Sequence, residues 1–413
     1  MPVWHARTRE ARESGALELV GIVQEQHPDR ARLFAEWQGF DWPILWDPFG
    51  LSEIERVPLV VGVDEHGVVR ATRLHPERFE EQMRSGWLSE ALPEPSPAPG
   101  ARPIVRRELA GDLEPDAPEG AERAMASLLW PAAEGSAAAW DGALALLEAH
   151  AERPEATPED RFRLGVAHRL RHDSPYARPG DFQRALDAWT AALAARPNQY
   201  VWRRRIQQYG PRLDKPYAFY DWIEEARAAL RARGETPVEV RVALSGSEVA
   251  APSNELPRRT RADVAPDPER EIRRDTERWV SIERASALHT GSAGARVRVR
   301  ASARVHLALR PDAARDVHWS NDAGPTTVWV FVPSGWVVEA NLYTLPVPPA
   351  EISNEVRRVD FEVVPPSDVL GPAAVKGYAL YYVCEGEDGE CAYLRSDFEV
   401  PIPLPVRRGP DDR

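Results

Sequence analysis

The sequence predicts a multidomain protein with an α/β segment, an all-α helical array and an all-β sandwich, in that order. Three observations predict it. Residues 1–88 alternate helical and strand-like stretches, residues 121–234 keep a helical period, and residues 235–405 switch to strand alternation broken by turns. A proline-rich stretch over 89–120 reads as a semi-rigid linker, and residues 406–413 read as a disordered polar tail. At 413 residues the chain has room for two or three domains of about 150 residues.

Composition narrows the function classes. Hydrophobic residues make up 43%, ample for ordinary cores. Proline accounts for 39 of the 413 residues, nearly twice the average of about 5%, and the excess belongs in linkers and at strand edges. A formal charge of −13 repels phosphate backbones and anionic head groups, so nucleic acid and membrane surfaces are poor partners. Arginine supplies nearly all the positive charge, since only Lys215 and Lys376 are lysines. No apolar run approaches the ~18 residues that would span a bilayer. No apolar signal follows Met1, so the sequence as written reads as cytoplasmic, and as periplasmic or secreted if the true start lies upstream.

The α/β elements follow in order. Trp4–Ser14 is charged and helical, and Gly15 stops it. Leu17–Val23 reads as a buried strand, and Pro28–Trp37 as a helix with proline in its first turn. Pro43–Trp46 is a short strand, followed by a brief helical piece at Leu51–Ile54. Leu59–Val63 and Val68–Thr72 form a hairpin around Glu65-His66-Gly67, and a last helix starts at Pro76. This order resembles the thioredoxin and peroxiredoxin-like superfamily, the redoxins. The resemblance is carried by Val20-Gly21-Ile22, by Asp41-Trp42-Pro43-Ile44-Leu45 and most specifically by Val57-Pro58-Leu59-Val60-Val61-Gly62-Val63-Asp64-Glu65-His66-Gly67. It implies that Pro58, following Val57, is a cis proline beside an active cysteine; cis bonds are affordable mainly at X–Pro.

One departure governs the chemistry. In that superfamily a strand ending in the cysteine motif precedes the helix matching Trp4–Ser14, and here that strand and its cysteines are absent. Its loss would leave unpaired backbone groups on strands 17–24 and 59–64. Three outcomes stay open: the two strands close on each other, another segment such as Pro103-Ile104-Val105 fills the gap, or the start codon lies upstream. We favour the upstream start.

In the helical region, Gly180–Leu193 with Pro197-Asn198 resembles the second helix of a tetratricopeptide repeat. Ala185, Trp189, Ala192 and Pro197 fall at its small, aromatic, small and proline positions. Leu164-Gly165, with His168 in the aromatic slot, matches the first helix, and Asp173–Gly180 looks like an insertion between the two. Trp140–Ala151 resembles a lone second helix, giving a short helical array. Tyr217, Phe219, Tyr220 and Trp222 are read as core of the last helix pair, with a peptide groove as the alternative.

Beyond 235 the expected strands are Val238–Leu244, Val297–Leu309, Thr326–Val332, Trp336–Tyr343, Val359–Val364, Gly377–Val383 and Ala392–Val400, with Asn254–Glu271 a polar loop. This series predicts an antiparallel sandwich. His318-Trp319-Ser320-Asn321 leading into Thr327–Val330, and Gly377–Cys384 turning into Cys391-Ala392-Tyr393, resemble the immunoglobulin-like N-terminal domain of the thiol:disulfide interchange protein DsbD. In that domain such a cysteine pair passes electrons onward.

Cys384 and Cys391 are the chain's only cysteines, too few for a disulfide scaffold or a zinc site. If Glu385 faces Glu390, the two lie opposite each other across a hairpin, within disulfide range; a two-residue turn at Asp388-Gly389 would make them diagonal instead. The loop carboxylates Glu385, Glu387, Asp388 and Glu390 should raise both thiol pKa values, making the pair a sluggish attacker but a usable receiving disulfide. A structural pair, a redox relay and a metal site all stay open. His27 is read as a turn histidine capping the next helix, and His318-Trp319 as a packing feature. With no phosphate loop, nucleophile elbow or metal pair at helical spacing, no cofactor is expected. The two resemblances imply thiol–disulfide exchange in a redoxin-family protein, with Cys384 and Cys391 as its only redox centre. A partner would be a thioredoxin-type reductant or a peptide held by the helical array. The alternative is a catalytically inactive interaction scaffold.

Overall fold

The structure, a computed structural model, describes residues 2–52, 54–55, 57–72, 74–84, 121–129, 136–211, 218–244, 248–249, 256–289, 302–366, 369, 371–386 and 390–404. The expected linker at 89–120, the segment Pro103-Ile104-Val105, residues 297–301 of one expected strand, Tyr217, and the 406–413 tail lie outside these residues.

The protein is multidomain, with mixed helix and sheet. Its first elements are α1 (Pro2–Glu13), β1 (Gly21–Val23), α2 (Pro28–Gln38), β2 (Ile44–Trp46), β3 (Val61–Val63), β4 (Val69–Thr72) and α3 (Phe79–Arg84). Helices α4 (Ala121–Leu129), α5 (Ala137–Ala151), α6 (Pro158–His172), α7 (Asp181–Ala195), α8 (Tyr200–Tyr209) and α9 (Ile223–Ala232) follow. Then come β5 (Arg258–Thr260), β6 (Val280–His289), β7 (Ser302–Pro311), β8 (Val317–Ser320), β9 (Thr327–Phe331), β10 (Val337–Val338), β11 (Leu342–Thr344), β12 (Ile352–Ser353), β13 (Arg357–Val364), β14 (Ala373–Glu385) and β15 (Cys391–Ile402). They form two compact units. The first is Met1–Pro154, Asn198–Val201 and Ile223–Val242; the second is Glu155–Pro197, Trp202–Trp222 and Ala243–Arg413.

In the first unit, α1 ends where Gly15 takes a positive φ of 73°, which glycine adopts without steric cost. Trp4 of α1 meets Phe79 of α3 edge-on at 5.5 Å, and Leu74, Leu17, Leu19, Val60 and Ala71 complete this core. β1 pairs in parallel with β2, and β3 pairs antiparallel with β4. Among the described residues β1 and β3 do not pair with each other, so the sheet is not closed in that way. The strands expose Val20, Ile22, Leu45, Val61, Val63 and Val69, each about half accessible, on the side away from that core.

The expected strand Val238–Leu244 is not formed. Its backbone is held by side chains of α2 instead of by a neighbouring strand: Val238 N–H donates to Glu36 Oε2 at 3.0 Å, Arg241 N–H to Asp29 Oδ2 at 3.4 Å, and Arg30 to the Val242 carbonyl at 3.5 Å. Alternation of apolar and charged residues is common to both arrangements, which is why the pattern misled.

In the second unit, α6 starts in a capping box between Thr157 and Asp160. Gly165 lets α6 approach α7 closely, because a Cβ there would lie 2.4 Å from Trp189 Cδ1. Ala185, Trp189 and Ala192 are fully buried, and residues 173–180 form the connecting loop. Trp202 of α8 stacks on Phe162 at 5.1 Å. Tyr220 is buried, its hydroxyl 2.9 Å from that of Tyr209, so it is core, not groove.

The strands make two sheets. One runs β10-β13-β7-β6; the other runs β12-β8-β14-β9-β11-β5, with β15 on the remaining edge of β14. Val305, Leu307, Val359 and Val363 from the first meet Trp319, Val328, Val330, Tyr381 and Val383 from the second in one core. Three details depart from expectation. β6 was not anticipated, since its middle, Ala285-Ser286-Ala287, is small rather than branched. The small residues suit its place against α7, where Gln183 bonds both the N–H and the carbonyl of Ser286 at 2.7 and 3.0 Å. β5 lies inside the stretch read as a polar loop and pairs with β11. Trp336–Tyr343 is not one strand: β10 pairs in one sheet and β11 in the other, so the chain crosses the sandwich there.

Asp181 is the buried polar anchor of the helical hairpin. Arg171 grips both its oxygens at 2.9 and 2.6 Å, Arg184 adds a bond at 2.7 Å, and the Arg178 N–H donates at 2.8 Å. Burial pushes its pKa up, but hydrogen bonds from His168, Arg171, Arg178 and Arg184 outweigh this and hold it well below the usual carboxylate range. A depressed folded-state pKa contributes stability that is present above the unfolded value of about 4 and lost as pH falls toward the folded one. Asp181→Ala should destabilise this unit by about 3–5 kcal/mol, because it removes the buried carboxylate that Arg171, Arg184 and the Arg178 N–H all bond. Denaturant unfolding of the full chain checks this. Asp181→Asn should also lose part of the wild-type decline in stability below about pH 4.

Candidate functional site

The two cysteines sit at the head of the β14–β15 hairpin. These strands pair in an unbroken antiparallel register from Ala373↔Ile402 to Cys384↔Cys391. Just beyond the cysteines, the Glu385 N–H donates to the Glu390 carbonyl at 3.1 Å. Glu385 and Glu390 are therefore a hydrogen-bonded pair, and the cysteines occupy the non-hydrogen-bonded position, where strands approach most closely. Their Cα atoms are 4.0 Å apart, and a 2.01 Å S–S bond joins them. Of the two registers open to the sequence, the structure takes the directly opposed one.

The two cysteines differ in exposure. Tyr381 and Val383 face the sandwich core, so Tyr382 and Cys384 face outward. Cys384 is nonetheless only 7% exposed, whereas Cys391 lies open on the outer strand. One row along, Tyr382 and Tyr393 stack at 4.2 Å and wall the disulfide on the strand side. Burial and the neighbouring Tyr382 ring push the Tyr393 hydroxyl pKa up, so it stays neutral.

Electrostatics around the hairpin differ from what its own residues suggest. Glu385 is bonded by Arg315 at 3.0 Å, and Arg315 also reaches Glu277 at 3.2 Å. Glu390 is bonded by Arg273 at 2.9 Å. Two of the four carboxylates are thus countered by arginines far away in sequence; Glu387 and Asp388 lie outside the described residues. The hydrogen bond to Glu385 raises the pKa of Arg315, which stays charged throughout.

Cys384 has a second cross-strand neighbour that sequence reasoning missed. β8 pairs on the other edge of β14, and His318 stands directly opposite Cys384. Its neighbour Trp319 is fully buried in the core and donates its indole N–H to the Glu355 carbonyl at 2.8 Å. His318 therefore shares the outward face of Cys384. Residue spacing along β8 shows the strand but not which strand it pairs with, so nothing in the sequence pointed to this pair.

The remaining sequence-predicted positions belong to the other unit. The Val57–Pro58 peptide is cis, and Val57 is exposed. His27 occupies the N-cap position of α2, but its side chain makes no capping hydrogen bond there. Among the described residues no group of three or more His, Cys, Asp or Glu is placed to hold a metal ion. None of their helices is long and apolar enough to cross a membrane.

No family model matches the chain, and no curated protein does. Among solved structures, one titled "X-ray structure of Northeast Structural Genomics Consortium target SoR45" is similar over 33% of this chain and 97% of that one. It has 10% identity and a TM-score of 0.20, too low for any conclusion about fold.

Removing both countering arginines isolates their effect on the sulfurs. In the reduced protein, Arg273→Ala combined with Arg315→Ala should raise the apparent thiol pKa, because the loop carboxylates then act without opposition. Ultraviolet thiolate absorbance against pH measures this; an unchanged titration would mean that the arginines are too well screened to matter.

Proposed function

We propose that this protein takes part in thiol–disulfide exchange, with the Cys384–Cys391 disulfide as the centre that a partner thiolate attacks. The observation that carries this is the asymmetry of the pair: an exposed residue, Cys391, bonded to a nearly buried one, Cys384. An incoming thiolate bonds to Cys391 Sγ and Cys384 leaves as thiolate. A second thiolate of the same partner then resolves the mixed disulfide. The partner is oxidised and the hairpin reduced.

The finer family assignments belong to the same proposal. The order of elements over residues 2–84, with Val57–Pro58 cis, supports a redoxin-type first module whose own catalytic strand and cysteines are absent from this sequence. Close packing of Gly165 on Trp189, with Ala185 and Ala192 buried, supports a tetratricopeptide-like hairpin for α6 and α7. Two packed sheets with a cysteine-headed hairpin support a DsbD-like, immunoglobulin-type sandwich. A disulfide that cycles fits an oxidising compartment better than the cytosol.

A second reading, an inactive redoxin kept as a protein–protein scaffold, is favoured by one observation. The half-exposed aliphatic side of the first unit's strands is a surface that monomeric proteins seldom leave open.

Single-cysteine variants separate the two readings. With a thioredoxin whose resolving cysteine is replaced by serine, the disulfide should yield a trapped adduct. Mass spectrometry should place that adduct on Cys391. In the Cys384→Ser variant, Cys391 should also react faster than Cys384 does in Cys391→Ser when each is offered an activated disulfide. No adduct, together with Cys384/Cys391 that stay oxidised before reduced thioredoxin, would leave the scaffold standing.

A further inference from the structure

We propose that His318 is the proton source for the leaving sulfur, and so makes this disulfide easier to open as pH falls. The inference deepens the exchange function proposed above and rests on it. His318, Cys384 and Cys391 lie in one row across three adjacent strands, β8, β14 and β15, at directly paired positions. Side chains at such positions share a face, with Cβ atoms about 4.5–5.5 Å apart. Cys384 thus has the disulfide partner on one side and an imidazole on the other. His318 is therefore paired with the cysteine whose sulfur must accept charge, and is one strand further from the one that is attacked.

The step balances as follows. The incoming thiolate forms a bond to Cys391 Sγ, the S–S bond breaks, and its electron pair goes to Cys384 Sγ. The His318 imidazolium gives its proton to that sulfur and becomes neutral. The second thiolate of the same dithiol then attacks its own sulfur in the mixed disulfide, releasing Cys391, which takes a proton from solvent. The dithiol loses two electrons and two protons to the hairpin.

Other charged and titratable groups lie close to this row. Tyr382 and Tyr393 share its face, while Glu385 and Glu390, one residue beyond the cysteines, alternate to the other face; near them lie Arg315 and Asp316 from the turn before β8 and Arg273 from the segment before β6, and Glu355 follows β12. Glu385 and Glu390 are countered by Arg315 and Arg273, and Glu355 by Arg357 at 2.8 Å. Burial keeps the Tyr393 hydroxyl neutral. Of the described groups in this neighbourhood, His318 is the one histidine.

The test uses the full chain and dithiothreitol, so that it does not depend on a protein partner. Reduction rates divided by the thiolate concentration should rise by roughly tenfold or more as pH falls from about 8 to about 5. In His318→Gln they should stay flat, with thermal unfolding unchanged. Should the variant fold poorly, His318→Asn replaces it and should give the same flat profile. A wild-type profile retained in His318→Gln or in His318→Asn would overturn the proposal. If the dithiothreitol profile depends on His318 while thioredoxin leaves the disulfide oxidised, the exchange partner is wrong and the role of His318 stands.

Discussion

The register of β14 against β15 is the constraint on which the site depends. Along β14 the odd-numbered side chains Val375, Ala379, Tyr381 and Val383 fill the core, so even-numbered Tyr382 and Cys384 face outward. A slip of one residue would turn the cysteine inward and the core residues out. Several features oppose such a slip. Gly377 has no room for a side chain, since a Cβ would lie 2.2 Å from the Trp329 carbonyl oxygen and 2.4 Å from the Phe398 ring. The Tyr381 hydroxyl is tied to Asp275 and Ser396, each at 2.7 Å. Arg395 is buried between Asp267 and Asp397, with its guanidinium 3.8 Å from the centre of the Tyr378 ring. Buried polar links of this kind specify one arrangement, because any other leaves a charge without its partner.

How much of this could be read in advance follows from which interactions are local. The helices and the hairpins of the first unit were legible, because caps, prolines and glycines act within a few residues: Pro28 opens α2, Gly39 closes it with φ at 65°, and Gly67 turns β3 into β4. The long strands near Gly377 and Tyr393 were legible for the same reason. β6 was not, since a strand facing a helix takes small residues and loses the alternation that marks a strand facing a core. The Val238–Leu244 segment shows the converse. Its alternation is real, but side chains of α2 hold its backbone. At the site, the cysteine pair was visible from spacing. The identity of the strand beside Cys384 is a long-range fact, and it hid the pairing of His318 with Cys384.

Two-stranded ribbons are marginal alone, and in the first unit the Trp4–Phe79 core takes in Ala71 of β4, Val60 just before β3 and Leu19 just before β1. Their opposite face keeps an alternating row of aliphatic side chains open, and among the described residues each ribbon has an edge with no strand on it. Ribbons of this kind usually carry lysine, proline or a bulge on such an edge. β3–β4 has a register shift between Gly62 and Val63, which twists the hairpin locally, but no charge replaces Val61 or Val63. Local stability there rests on burial on one face alone, so this part of the chain is the one most sensitive to losses in that small core.

Charge placement is consistent with the receiving role proposed for the hairpin. An attacking thiol needs a stable thiolate in the free protein, and a loop with four carboxylates works against one. A receiving disulfide needs charge stabilised on the sulfur that leaves, and only while it leaves. Arg273 and Arg315 lessen the negative field from outside the hairpin without contributing a permanent charge at the sulfurs themselves. An imidazole beside Cys384 adds the transient element, because it delivers its proton as the S–S bond breaks and is neutral afterwards. The acidic loop therefore disfavours the pair as a nucleophile, while the residues on neighbouring strands favour its opening by one.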